Sequence, residues 1–370
     1  MKAPSFLRRI RSAASVLRTR SRSFVAPGLL RTPLVLVVVF AACSSGSTAA
    51  AKPKAAAKVT TTTTKPPPVA PLTGLPDPTG IAQTRSLVSI KIDNDSNLAR
   101  PQTGIDQADI VWDEVVEGEA TRFLAMFQSQ APDVVGPVRS VRLTDPLIVW
   151  PYGGIFAYSG GAKYAVDGIS QAPVKRIDES AAGNAMFRGS ERKPPHNLYA
   201  HPALLFTLGG VPAPPPPVFD YATGAVTAGQ VVTSVHIGNP PEFAPTYTWD
   251  AASGTWRRST RAGPFVVKSG KQIAPQNVVV LSVVYGGRGL GQIGAEAQLV
   301  GRGPAKVFTN GREIDGTWSR AAKTDRIALI GADGKPILLT PGQTWVELPD
   351  VSYAIAVVIP APPPTQPAKP

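Results

Sequence analysis

The chain has 370 residues with 38 Lys and Arg, 25 Asp and Glu, and a single cysteine, so no disulfide can form within it. Its formal charge of +13 is confined to one end: residues 1–70 hold twelve basic residues and no acid, which leaves 26 basic against 25 acidic residues in 71–370. A nearly neutral remainder offers no basic stripe for phosphodiester backbones, and no nucleic-acid partner is expected.

Residues 1–42 read as a signal peptide. Lys2, Arg8, Arg9, Arg11, Arg18, Arg20, Arg22 and Arg31 form a basic n-region, followed by the apolar run Leu34-Val35-Leu36-Val37-Val38-Val39-Phe40. From Leu34 to Ala42 the run is nine residues, whereas a spanning helix needs about 20. Phe40-Ala41-Ala42-Cys43 is similar to a bacterial lipoprotein signal, in which the cysteine is acylated and becomes the N-terminus. That predicts a lipid anchor at Cys43, with membrane lipid as partner, on the extracytoplasmic face of the cell membrane. Residues 43–70, built from Ser, Thr, Ala, Lys and Pro, cannot bury a core and read as a disordered tether.

From Pro71 onward the pattern predicts an α+β fold: an α/β half over 71–210 with a mixed sheet, a β-rich half over 218–360, and a Pro-rich tail at 361–370. In the first half strands are expected at 87–92, 110–116, 123–127 and 155–158, and helices at 162–169 and 200–208. The run Pro212-Ala213-Pro214-Pro215-Pro216-Pro217 marks the boundary. Beyond it, strands are expected at 231–237, 278–285, 305–308, 326–330, 344–348 and 353–359, with Asn310-Gly311 and Asp333-Gly334 as tight turns.

Between Arg100 and Gly161, ionisable residues interrupt segments apolar enough to be buried. Such charges are costly unless paired or ligand-bound, so they predict a polar site at strand ends. Arg100, Arg122, Arg139 and Arg142 are the candidate anion clamps, with Ser140, Gly160, Gly161 and Asn197 as further ligand contacts. Glu114 and Glu117 are candidate acids or bases, and His196 a candidate proton carrier. Arg122 and Arg139 have a structural alternative, a pair with Asp113, Glu114 or Glu117 that ties strand ends together. Asp93 and Asp95, beside Asn94 and Asn97, read as Asx-turn residues in preference to metal ligands. His196 and His201 have no cysteine and no clear carboxylate partner, and no metal site is assigned.

Several motifs carry a family resemblance: Pro71-Leu72-Thr73-Gly74-Leu75-Pro76, Arg100-Pro101-Gln102, Glu117-Gly118, Thr121-Arg122-Phe123, Gly136-Pro137-Val138-Arg139-Ser140, Pro195-His196-Asn197-Leu198-Tyr199 and Pro341-Gly342-Gln343-Thr344-Trp345. Over residues 71–349 the chain resembles the YerB-like lipoproteins, a family with a domain of unknown function numbered 3048. Ser159 stands where many relatives have His or Ala before two glycines. A looser likeness over about seventy residues, from Ile92-Asp93-Asn94-Asp95 to Ser159-Gly160-Gly161, is to the LytR-CpsA-Psr phosphotransferases of bacterial envelopes, although their Pro-Arg-Asp reads Val138-Arg139-Ser140 here. That likeness implies arginines on a pyrophosphate and carboxylates that could hold Mg²⁺. The expectation is an envelope lipoprotein that binds or transfers a phosphate-bearing glycan intermediate; the alternative is a noncatalytic scaffold for another envelope protein.

Overall fold

The computed structural model describes residues 68–95, 98–209, 213–224, 226–287 and 294–361. The signal peptide, Cys43, the tether to residue 67, Asn97, Pro212 and the tail from 362 lie outside the described residues.

Strands dominate. The first half contributes β1 (Val88–Asp93), β2 (Ile110–Val116), β3 (Ala120–Phe127), β4 (Ile155–Ala157), β5 (Lys175–Ile177), β6 (Met186–Arg188) and β7 (Leu198–Ala200). Its helices are short: α1 (Thr144–Val149), α2 (Lys163–Ser170) and α3 (Pro202–Thr207). The second half adds β8 (Gln230–Val231), β9 (Ser234–Ile237), β10 (Thr246–Asp250), β11 (Thr255–Thr260), β12 (Gly263–Pro264), β13 (Asn277–Leu281), β14 (Tyr285–Gly286) and β15 (Glu296–Ala297). It ends with β16 (Gly301–Thr309), β17 (Arg312–Arg320), β18 (Ala328–Gly331), β19 (Thr344–Leu348) and β20 (Ile355–Val358).

Strands of both halves share one sheet, in the order β18-β17-β16-β13-β19-β2-β3-β1-β4-β5, with β8 also on β17. The seam is the parallel pair β19 and β2, in register from Thr344 with Ile110 to Leu348 with Glu114. β1, β4 and β5 run in parallel, β13 runs parallel to β19, and β3 lies antiparallel between β1 and β2. The carboxyl ends of β1, β2, β4, β5, β13 and β19 therefore meet one edge of the sheet, the usual place for ligands in parallel sheets.

Alternation splits the sheet into two buried faces. Leu124 and Met126 of β3 join Trp112, Phe156 and Val346 under α1 and α2. Phe123, Ala125 and Phe127 join Val88, Ile90, Ile92 and Trp345 against a second sheet, β12-β11-β10-β9-β20. In α2 the buried pair Ala165 and Ile169 has the i, i+4 spacing of a one-sided helix. The six-residue α1 was not expected; it is too short for a periodic signal, and Pro146 is tolerated because it lies in the first turn. The expected helix at 200–208 starts at Pro202, because Ala200 pairs with Met186 in the β6–β7 hairpin. Asn310 (φ 47°) and Gly311 (φ 70°) make the expected two-residue turn between β16 and β17, since both central positions need left-handed backbone. The hairpin β10–β11 was not foreseen; its Trp, Arg and Thr mixture hides a period-2 pattern, with Trp256, Arg258 and Thr260 buried on one side.

A candidate anion site at the strand ends

Asp93 ends β1 and lies opposite Arg122, the third residue of β3. The segment from Val138 to Arg142 is laid beside them by backbone bonds: Arg139 N–H donates to the Lys91 carbonyl (2.9 Å), Ser159 N–H to the Arg139 carbonyl (3.0 Å), and Val141 N–H to the Gly160 carbonyl (3.0 Å). This brings three arginines to one edge. Arg122 Nη1 donates to the Ser140 carbonyl at 3.0 Å. Arg139 Nε lies 2.9 Å from Asp93 Oδ2, a charge contact without an aligned hydrogen bond, and His196 Nδ1 lies 2.7 Å from the same oxygen. Arg142 Nε donates to Glu117 Oε2 at 2.6 Å.

Arg122 is 8% exposed, and its one described bond is to a backbone carbonyl. Burial, then Arg142 and Arg139, bring its pKa down to about 10, because a third cation in this position is opposed by two others. It stays charged at neutral pH. The edge thus holds a nearly enclosed guanidinium whose neighbouring acids, Asp93 and Glu117, serve the other two arginines.

Glu114 lies beneath this edge and is fully buried. Lys91 Nζ donates to Glu114 and, at 2.9 Å, to Asp145 Oδ1, while the Arg142 N–H donates to Asp145 Oδ2 at 2.7 Å. All three side chains have no exposure. Two carboxylates share one ammonium, and burial, then Asp145, push the Glu114 carboxyl up to about 7 against the pull of Lys91. This arrangement holds α1 on the sheet and leaves Glu114 no path to a substrate.

Arg100 is placed against the other face. Its Nε donates to Asn94 Oδ1 (3.0 Å), and its guanidinium lies 4.8 Å from the Phe265 ring centre. Behind it, Arg258 of β11 is enclosed: Nη2 donates to Asp113 Oδ2 (2.6 Å) and is 3.6 Å from Glu347, with Phe265 and Trp345 rings at 4.7 and 4.9 Å. Asn197 ties the β6–β7 hairpin, accepting from Arg188 Nη1 (2.8 Å) and donating to the Gly189 carbonyl (2.9 Å). At Gly161 a Cβ would come 2.8 Å from Val141 Cγ1, whereas Gly160, at φ 96°, borders open space. Asp93 also fits its Asx reading, accepting from the Asp95 N–H at 3.3 Å. The histidines are separate: His201 Nδ1 faces the Asp133 carbonyl at 2.7 Å.

The site therefore gathers Arg122, Arg139, Arg142, Ser140, Glu117, His196 and Gly160, with Asp93 added, and leaves Arg100 and Asn197 aside. Lys91, Asp145, Tyr247, Arg258 and Glu347 were missed by the sequence reading. For Arg258 a signal existed, since alternation puts it on the face of Trp256. Lys91 in Val-Ser-Ile-Lys-Ile-Asp reads as the wet side of a half-exposed strand, and only the packing of α1 reveals otherwise.

Fold and site together define a two-sheet protein with cations gathered at the carboxyl ends of its parallel strands. Two family profiles match it: "Protein of unknown function (DUF3048) N-terminal domain" over residues 72–208 and the corresponding C-terminal domain over 235–346. The chain belongs to the DUF3048 family. It is 30% identical over 314 residues, 77% of this chain and 87% of the relative, to "Putative lipoprotein YerB" of Bacillus subtilis (strain 168). The crystal structure of YerB from Bacillus subtilis matches with a TM-score of 0.68 at 26% identity, covering 78% of this chain and 99% of that one.

Proposed function

We propose that this protein is a lipoprotein of the bacterial envelope, anchored through Cys43 on the extracytoplasmic face of the membrane, whose arginine edge binds a phosphate- or pyrophosphate-bearing glycan intermediate. The anchor is supported by the leader and by the name of the YerB relative. The ligand is supported by one observation above others: Arg122, nearly enclosed, sits between Arg139 and Arg142 and keeps its charge with no carboxylate of its own. Planar guanidinium forks match phosphate oxygens, and such charge-assisted bonds are the strong ones. Glu117 and His196 border the arginines and are the groups for any proton transfer.

The carboxylates do not form an Mg²⁺ cage. Asp93 faces Arg139 and His196, Glu117 faces Arg142, and among the described residues no cluster of three potential ligands exists. The noncatalytic reading has its own support, because Arg139 and Arg142 are already in ion pairs and Glu114 is closed off.

Two experiments test the proposal. Wild type should incorporate palmitate and partition into detergent, and Cys43→Ala should do neither; identical behaviour removes the anchor. Calorimetric titration with pyrophosphate and polyprenyl phosphate should show saturable binding that Arg139→Ala weakens. If no such ligand binds wild type and Arg139→Ala only lowers the melting temperature, the scaffold reading replaces it.

A further inference from the structure

Away from the arginine edge, on the sheet face opposite to that of Arg122, a cleft of about 700 Å³ opens between the Arg100-Pro101 turn and the Gly263–Val266 end of the second sheet. That volume lies within the roughly 300–1,000 Å³ range of small-ligand sites. Its walls belong to Arg100 and Pro101 of the first half and to Glu242 and the segment from Thr260 to Val266 of the second.

Arg100 supplies the cationic end. Its Nε is bound to Asn94, and its Nη2 is buried with the guanidinium over the Phe265 and Phe243 rings, at 4.8 and 5.4 Å. Nη1 is the remaining nitrogen of the fork. The stacking holds the fork in one orientation, so a ligand does not have to order it. Arg261 lines the same cleft and is exposed. With Glu242 the lining holds two arginines and one acid, a formal charge of +1. The remainder is largely apolar, with Pro264 and Phe265 on the wall and Val266 39% exposed.

We infer that this cleft binds an apolar carboxylic acid, with the carboxylate on Arg100 Nη1 and Arg261 and the hydrocarbon or aromatic body against Phe265 and Val266. A single negative charge balances the lining. A phosphate dianion would exceed it by one charge.

The test uses the full chain in detergent and three probes: N-acetyl-L-phenylalanine, its neutral amide, and pyrophosphate as competitor. By calorimetry or ligand-observed NMR the acid should bind saturably and the amide at least tenfold more weakly. Arg100→Gln should weaken the acid at least tenfold. Val266→Trp, which fills the cleft from an exposed position and leaves Arg100 in place, should abolish binding in a protein with an unchanged circular dichroism spectrum. Saturating pyrophosphate should leave the affinity for the acid unchanged. Equal binding of acid and amide, absence of saturable binding, or an unaffected Val266→Trp overturns the inference. Displacement of the acid by pyrophosphate also overturns it, since the acid would then sit at the arginine edge.

Discussion

Arg258 of the second sheet and Arg122 of the central sheet are both almost out of water, yet their surroundings differ in kind. Arg258 is wrapped by aromatic rings, contacts Asp113, lies 3.6 Å from Glu347 and donates from its Nε to the Tyr247 hydroxyl at 3.0 Å. Arg122 has one carbonyl bond and two like-charged neighbours. A buried cation held by carboxylates ties a structure together even where, as at Arg258 Nη1, one nitrogen lacks a hydrogen-bond partner, whereas one with no paired carboxylate is available to a ligand. The first joins the two sheets; the second marks the site.

The largest effect should come from breaking the carboxylate-paired one. Arg258→Ala would leave Asp113 and Glu347 buried without their cation, and loss of one member of a buried ion pair costs about 3–5 kcal/mol. Urea unfolding should show it as a lower midpoint with unchanged slope. A loss below about 1 kcal/mol would mean that the network is dispensable.

Arg122→Lys keeps the charge and removes the fork. Pyrophosphate affinity should fall by about ten- to a hundredfold, the equivalent of one charge-assisted bond, while the unfolding midpoint changes far less than in Arg258→Ala. If stability falls and affinity does not, Arg122 is of the same kind as Arg258.

The pH dependence sharpens the contrast further. Burial, then Asp113, push the Glu347 carboxyl up to about 8 in spite of Arg258 and the Tyr247 hydroxyl, which donates to it at 2.5 Å. Glu114 is pushed up to about 7. A carboxyl raised on folding favours the protonated native state, so its contribution is complete below the unfolded value of about 4.3 and is lost as pH rises through 7 to 8. Stability should therefore decline between pH 5 and 8.5, by on the order of 1–3 kcal/mol. Glu347→Gln, a mimic of the protonated acid that still accepts from Tyr247, should flatten that decline and exceed wild type at pH 8. A slope identical to wild type would show that Glu347 is ionised throughout.

The smallest effect should come from Arg257→Ala, one residue before Arg258 and on the opposite side of β11. Arg257 is exposed and paired with Asp250 at the surface, and its loss should leave the unfolding midpoint unchanged within error. A large shift would contradict the inward and outward assignment of that strand.

The strands most legible in advance were those rich in β-branched and aromatic residues. Val88–Asp93, with its strict alternation, and Ile110–Val116 and Thr344–Leu348, with few polar residues, are marked by local pattern without reference to their partners, although their burial on both faces is not. The grouping of Arg122, Arg139 and Arg142 was legible for a related reason: charged residues inside apolar segments stand out wherever those segments lie. Arg100 followed the same pattern and went elsewhere, because its direction is set by the Phe243 and Phe265 rings of a segment more than a hundred residues away.

The sequence alone determined the charged, lipoprotein-like leader, the neutral folded part, about half of the strands and the Asn310-Gly311 turn, all of which depend on local composition, periodicity and backbone chirality. The tertiary structure alone decided that β19 pairs with β2, so that strands of both halves share one sheet. It also decided that the polar side of Val88–Asp93 is covered by α1, with Lys91 between Glu114 and Asp145, and that Arg258 closes the space between the sheets. These are contacts across large sequence separations, and a charge in a strand looks the same whether water or a carboxylate from a distant segment satisfies it.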